Sequence, residues 1–132
     1  MVSRLFVQSI GSRIYWIPAI NWYASDQLSE LLKRDLSHKE IFYYASMIHL
    51  WLAKIHPFGD GNGRAARLLE KWFLVSKLGM SVWSLNSEKY YWDNRPAYYQ
   101  NIALGFNYYA LHWDRCMPFL LMLPEALKES IL

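Results

Sequence analysis

With one cysteine, Cys116, in 132 residues the chain has no internal disulfide to form, which fits a reducing compartment. It also lacks any apolar run near the ~20 residues that a membrane helix needs. The N-terminus, Met1-Val2-Ser3-Arg4-Leu5, opens no apolar core of signal-peptide length. These absences read as a soluble, cytoplasmic protein with no membrane partner, and leave secretion into a host cell open. Charge is sparse: 19% of residues are charged and the net charge is +3. A pI near 9.0 favours anionic ligands only weakly. The Lys and Arg residues are scattered and no helix shows a basic recognition face, which argues against nucleic acid as the partner. Repeats, low-complexity tracts and linkers are missing too, so residues 1–132 read as one continuous domain.

Large apolar side chains are plentiful. The chain is 54% hydrophobic and 17% aromatic, with seven Trp and ten Tyr, far too rich to stay disordered. Most of these rings are expected in a helical core, with any exposed remainder meeting a partner. Leu5 to Ile17 reads as a short hairpin turning at Gly11-Ser12, and Pro18 ends it because proline supplies no ladder donor. Ser25 can cap a helix through Leu28, Leu31 and Leu32 to about Asp35.

The strongest helix signal follows. Ser37 and Glu40 form a capping box, and Ile41, Ala45, Ile48, Leu52 and Ile55 repeat at helical spacing. The other faces carry Phe42, Tyr43, Tyr44, Met47, Leu50 and Trp51, so this helix belongs mid-domain. Pro57 disfavours helical geometry at His56 and should end it there. A loop through Gly63 comes next. A second helix then carries Leu68, Leu69, Trp72, Phe73, Val75 and Leu78, with Gly79 as its C-terminal cap. Met80 to Leu85 reads as extended. Asn94-Arg95-Pro96 opens a further helix carrying Tyr98, Tyr99, Ile102 and Leu104. Asp114 is expected to cap a last helix, bent or interrupted by Pro124. The sum is an all-α bundle with a small N-terminal hairpin: 1–18 the hairpin, 37–79 the central helix pair, 94–132 the C-terminal helices.

Between the central helices lies His56-Pro57-Phe58-Gly59-Asp60-Gly61-Asn62-Gly63-Arg64-Ala65-Ala66-Arg67. Gly61, Asn62 and Gly63 can take positive φ at little cost, turning successive N–H groups into one concavity that opens on a helix N-terminus. Arg64 and Arg67, three apart, can grip separate phosphate oxygens with guanidinium forks. Asp60 offers one oxygen ligand of the kind magnesium takes beside substrate phosphates. His56, at the loop's start, can accept a proton from an attacking hydroxyl. Phe58 is expected to anchor the loop on the core. Asp-Gly-Asn-Gly is equally a good turn sequence, and alone it would mean a plain helix connection. An EF-hand fails because Arg64, Ala65 and Lys71 stand where a ligand, the glycine and the bidentate glutamate belong. No Gly-Lys-Ser/Thr follows for a P-loop, and a helix rather than a strand precedes the glycines. His49, seven residues before His56, lacks partners for a zinc site and reads as a buried hydrogen-bonding residue supporting the helix pair. His38 and His112 read as surface or capping residues.

This stretch resembles the signature of the Fic (Fic/Doc) family, His-Pro-Phe-x-Asp/Glu-Gly-Asn-Gly-Arg-x-x-Arg, at every fixed position. The hairpin before Pro18 resembles the family's flap, the Ser37–Ile55 helix with His49 its pre-motif helix, and Arg95-x-x-Tyr98-Tyr99 its post-motif arginine and tyrosines. The resemblance implies a protein adenylyltransferase moving AMP from ATP to a Ser, Thr or Tyr hydroxyl of a target protein, with release of pyrophosphate. It implies His56 as general base, Asp60 as the magnesium ligand, and Gly61, Asn62 and Gly63 on the α- and β-phosphates. Arg64 and Arg67 would steady the leaving pyrophosphate, and Tyr98, Tyr99 and Asn107 would lie near the nucleoside. Ile10, Gly11, Ser12 and Arg13 of the flap would border the nucleotide and align the target by strand addition.

Gly63-Arg64 argues against the kinase-like Doc branch, where lysine replaces that glycine. Many family members carry an inhibitory Ser/Thr-x-x-x-Glu-Gly/Asn helix whose glutamate pairs with the motif's second arginine. Neither end of this chain has it, and Ser84-x-x-x-Glu88 is followed by Lys89 in the wrong place. The expectation is either a separate antitoxin-like regulator or a core lacking its regulatory segment. The other readings are transfer of another nucleotide or phosphate group, removal of AMP, and a non-catalytic nucleotide-binding module.

Overall fold

A computed structural model describes residues 26–104 and 111–131 of the chain, and these are mostly helical with no strand among them. The expected hairpin at 1–18 and its cap at Ser25 lie outside the described residues, as does Asn107. Helix α1 covers 26–33. Helix α2 spans His38–Ile55 and opens on the capping box read from the sequence. The Glu40 N–H donates to Ser37 Oγ at 3.3 Å, and the Ser37 N–H donates to Glu40 Oε2 at 2.7 Å. Helix α3 runs Asn62–Leu78 and ends at Gly79, whose φ of 89° suits a residue without Cβ. It starts before Gly63, so the connecting loop is two residues shorter than expected.

Two stretches depart further from the sequence reading. Met80–Ser84 is a 3-10 turn rather than extended. It is pinned by Lys71 of α3, a buried lysine that donates to the Leu85 carbonyl and lies 3.4 Å from Glu88. Ser87–Asp93 then forms α4, a helix the sequence did not reveal, because seven residues with one deeply buried apolar ring, Tyr91, show no period. Helix α5 spans Arg95–Ile102, with Pro96 in its first turn as expected, and ends before Leu104. Asp114 caps no helix: it lies in a 3-10 turn at Trp113–Arg115, while Pro118 sits in the first turn of α6 (Met117–Leu120) and sets its start. Helix α7 (Met122–Ile131) follows after a one-residue break at Leu121. Pro124 has no N–H for the Leu120 carbonyl, so the expected interruption falls there.

Helix α2 is the centre of the bundle. One face, Ile41, Ala45 and Ile48, packs with Leu31 of α1, Phe73 and Leu74 of α3, and Leu123 and Ala126 of α7. The opposite face, Met47 and Leu50, packs with Tyr91, Tyr98, Leu104, Phe119 and Met122. Between the two clusters, Ser46 and His49 are fully buried. On α3 the inward positions are Ala66, Glu70, Phe73 and Leu74, which turns a carboxylate to the core and leaves Leu68 and Trp72 outward. Lys77 of α3 donates to the Leu32 and Arg34 carbonyls at 2.9 and 2.7 Å, closing the C-terminal end of α1. No helix among the described residues is long and apolar enough to cross a membrane.

The cap makes a direct prediction. Ser37→Ala should lower the unfolding free energy by about 1 kcal/mol in urea titration, and an unchanged midpoint would show that α2 is fixed by packing alone. The Ser37 backbone N–H and hydroxyl hold the Glu40 carboxyl below its ordinary range. The cap's full contribution is therefore present above the usual glutamate pKa and lost as pH falls through the lowered one.

Candidate active site

The site is built where two helices meet end to end. Helix α2 stops at His56, which takes the left-handed conformation (φ 53°, ψ 54°) while its N–H still bonds the Leu52 carbonyl at 2.9 Å. It is the one non-glycine with positive φ among the described residues. Pro57, buried directly after it, disfavours another helical residue, so the exit geometry is set by that step. Such strain, of order 1–3 kcal/mol, persists where the surroundings over-determine it. Its effect here is to place the imidazole in solvent-accessible space at the pocket rim.

Gly61 is the other special residue, with φ 81° as the N-cap of α3. Asn62 and Gly63 are helical, not left-handed, so the expected run of three positive-φ residues reduces to one. The anion cradle is instead the ordinary open end of a helix. The Gly61 carbonyl accepts from the Ala65 N–H at 2.9 Å, which leaves the amides of Asn62, Gly63 and Arg64 without intrahelical acceptors. The glycines serve a second need. A Cβ on Gly61 would stand 3.1 Å from an Arg64 guanidinium nitrogen, and one on Gly63 would stand 3.1 Å from Arg67 Nη1. Both arginines fold back over bare glycine backbone at the start of α3.

Phe58 does not anchor the loop: its ring is 51% exposed. Asn62 does that work, because it is buried and its amide grips the Phe58 main chain on both sides. The Phe58 N–H donates to Asn62 Oδ1 at 2.9 Å, and Asn62 Nδ2 donates to the Phe58 carbonyl at 2.8 Å. A side chain read as phosphate-binding is thus committed to loop closure, and Asn62 can meet an anion only through its backbone N–H.

A cavity of about 420 Å³ brings His56, Asp60, Gly61, Gly63, Arg64 and Arg67 together with Tyr98, Tyr99 and Ile102. Of the site residues read from the sequence, Ile10, Gly11, Ser12, Arg13 and Asn107 lie outside the described residues, and all the others line this cavity. Asp60 is almost fully exposed and 3.4 Å from Arg64, an exposed pair of little energetic weight that leaves the carboxylate free. Among the described residues no cluster of three metal-ligating side chains occurs. A single free carboxylate beside an anion cradle nevertheless fits magnesium, which keeps several waters and shares its remaining positions with phosphates. Beyond Arg67 the space continues into a second cavity of about 360 Å³, lined by Trp92, Arg95, Glu88 and Lys89. There the Arg95 guanidinium stacks 3.8 Å over the Trp92 ring.

Under the pocket sits a layer that the sequence reading found only in part. Tyr98 is buried and its hydroxyl lies 2.8 Å from His49 Nε2. His49 Nδ1 lies 3.4 Å from Glu70 Oε1 without a hydrogen bond to it, and that oxygen accepts from the Tyr91 hydroxyl at 2.7 Å. Burial raises the Tyr98 pKa, with Arg67 opposing, and burial with the Glu70 charge holds the Tyr91 pKa well above its usual value. Both phenols are therefore neutral donors at ordinary pH. His49 is the buried hydrogen-bonding residue expected of it. Glu70 and Tyr91 were missed, although a carboxylate four residues after Ala66 and three before Phe73, on the apolar side of α3, was a visible signal.

A helical domain that presents an imidazole and an anion cradle in one pocket is a recognisable class. Residues 14–74, with the whole motif inside them, match the model of the Fic/DOC family. A probable protein adenylyltransferase of Aquifex aeolicus is 31% identical over 71 residues, 54% of this chain and 19% of that protein. Proteins named protein adenylyltransferase Fic from Aedes aegypti and Culex quinquefasciatus are each 56% identical over 32 residues, 24% of this chain and 6% of theirs. The chain thus aligns with a fifth or less of the length of these curated relatives. No solved structure matches it.

Asn62→Ala should destabilise the domain by about 2 kcal/mol, since two part-buried hydrogen bonds to the main chain of one residue are lost together. Urea unfolding gives the value, and a loss below about 0.5 kcal/mol would refute the clamp.

Proposed function

We propose that the chain is a protein adenylyltransferase. It moves AMP from ATP to a Ser, Thr or Tyr hydroxyl of a target protein and releases pyrophosphate. The observation that carries the reading is one cavity lined by an exposed imidazole, the N-terminal residues of α3 with their free amides, and two guanidiniums folded back over Gly61 and Gly63. The relatives' printed names support the same chemistry.

In this reading the triphosphate lies along the start of α3. The amides of Asn62 and Gly63 and the positive end of the helix dipole hold its α- and β-phosphates. His56 takes the proton from the target hydroxyl, whose oxygen bonds to the α-phosphorus. The bond from that phosphorus to the oxygen bridging the β-phosphate breaks, and pyrophosphate leaves with its charge against Arg64 and Arg67. Magnesium, bound by Asp60, would supply charge neutralisation on the phosphates. Tyr98 and Tyr99 flank the nucleoside with Asn107, and the target segment docks beside residues 10–13. An antitoxin-like chain or regulatory segment would act by placing a glutamate against Arg67. The reaction belongs in the cytoplasm, where ATP and magnesium are at hand.

Incubation of cell lysate with α-labelled ATP, magnesium and the protein should label a target protein, and His56→Ala should remove at least about 99% of that label. Intact labelling by the His56→Ala variant would sink the proposed base. Labelling from GTP, UTP or CTP in place of ATP would redirect the reading to another nucleotide.

A further inference from the structure

Arg67 stands where two cavities meet. The first, of about 420 Å³, holds the motif and the start of α3. The second, of about 360 Å³, opens between α3, α4 and α5. Tyr98 and Tyr99, their rings 5.5 Å apart, also line both. The two spaces are therefore compartments of one cleft, divided by a tyrosine pair and a guanidinium. Each is of a size that small-molecule pockets have. The reaction set out above needs only the first.

The second compartment is lined like a site. Trp92 and Tyr99 are 62% and 63% exposed, although aromatic rings are on average largely covered. The Arg95 guanidinium lies 3.8 Å from the centre of the Trp92 ring, which holds that cation at the wall. The other charges there have neighbours: Lys89 pairs with Asp93, and Glu88 lies 3.4 Å from Lys71. Among the described residues neither Arg67 nor Arg95 has a carboxylate partner. Guanidiniums without a counter-charge suit phosphate, and an exposed indole and phenol suit a flat base that can stack. A carboxylate side chain would use the cations and leave the rings bare. A nucleoside carried on the far end of the phosphate chain uses both.

We propose that the cleft takes dinucleoside polyphosphates. One nucleoside occupies the first compartment, the phosphate bridge crosses Arg67, and the second base lies against Trp92 and Tyr99. The assignment rests on the nucleotide reading above, because it extends that ligand past its terminal phosphate. ATP ends at Arg67 and leaves the second compartment unfilled.

Calorimetry with three ligands tests this without any transfer step: ATP, adenosine tetraphosphate and diadenosine tetraphosphate, each with magnesium. The two tetraphosphates differ in the second adenosine, and the diadenosine compound carries less charge, so charge alone predicts that it binds more weakly. It should instead bind about tenfold tighter than adenosine tetraphosphate, the gain of one stacked base and more than the roughly twofold that two equivalent ends supply. Trp92→Ala should remove most of that preference and leave ATP affinity within about twofold, whereas Trp92→Phe should keep part of it. Trp92 is exposed, so its replacement alters the wall and spares the core.

Equal affinity for the two tetraphosphates, or a preference that survives Trp92→Ala, would overturn the second subsite and leave ATP binding and the proposed reaction standing. Failure of all three ligands to bind would refute the nucleotide reading, and the second subsite with it.

Discussion

The buried contact between His49 and Glu70 is the constraint around which the rest of the domain is arranged. A carboxylate with no exposure is stable inside protein only if its surroundings supply donors and hold them in place. Here the surroundings are α2, α3, α4 and α5, and each contributes one polar group or helix to the same cluster. Leaving a buried polar group of this cluster unpaired costs about 1–3 kcal/mol, against total stabilities of about 5–15 kcal/mol. The two apolar clusters on either side of α2 meet at this point, so the helices cannot slide past one another without breaking it. The pocket floor inherits that rigidity, because Tyr98 belongs both to the cluster and to the cavity wall.

Above this floor, the site uses backbone more than side chains. The end of one helix and the start of the next are brought together by a short loop, which sets His56 at a C-terminus and the free amides at an N-terminus. The left-handed step at His56 and the left-handed cap at Gly61 are the two bends that allow it. The guanidiniums need no separate scaffold, since they lie on glycines one turn earlier in their own helix. A change of charge or size at Gly61 or Gly63 therefore acts on Arg64 or Arg67 before it acts on any ligand.

Much of this was legible because several signals agreed. The capping box, the apolar stripe and Pro57 all bounded α2 correctly, and the motif named the pocket residues that the fold brings together. What was not legible had physical reasons. Helix α4 is too short to show a period, and a 3-10 turn at Met80–Ser84 depends on Lys71 reaching across from α3. Phenylalanine usually goes inward, which makes Phe58 read as an anchor, whereas the loop is closed by an amide on the main chain. Asp114 looked like a cap, but Pro118 fixes the helix start beyond it. Glu70 is hidden in the sequence because a glutamate in a helix normally faces solvent.

The grip of Asn62 on the Phe58 main chain carries one more implication. Because the clamp reads only an N–H and a carbonyl, the loop keeps its shape with any residue but proline at position 58. That decouples the outer surface beside the pocket from the geometry inside it. Over evolutionary time the chain can therefore vary the chemistry it shows at position 58 without disturbing His56 or Asp60.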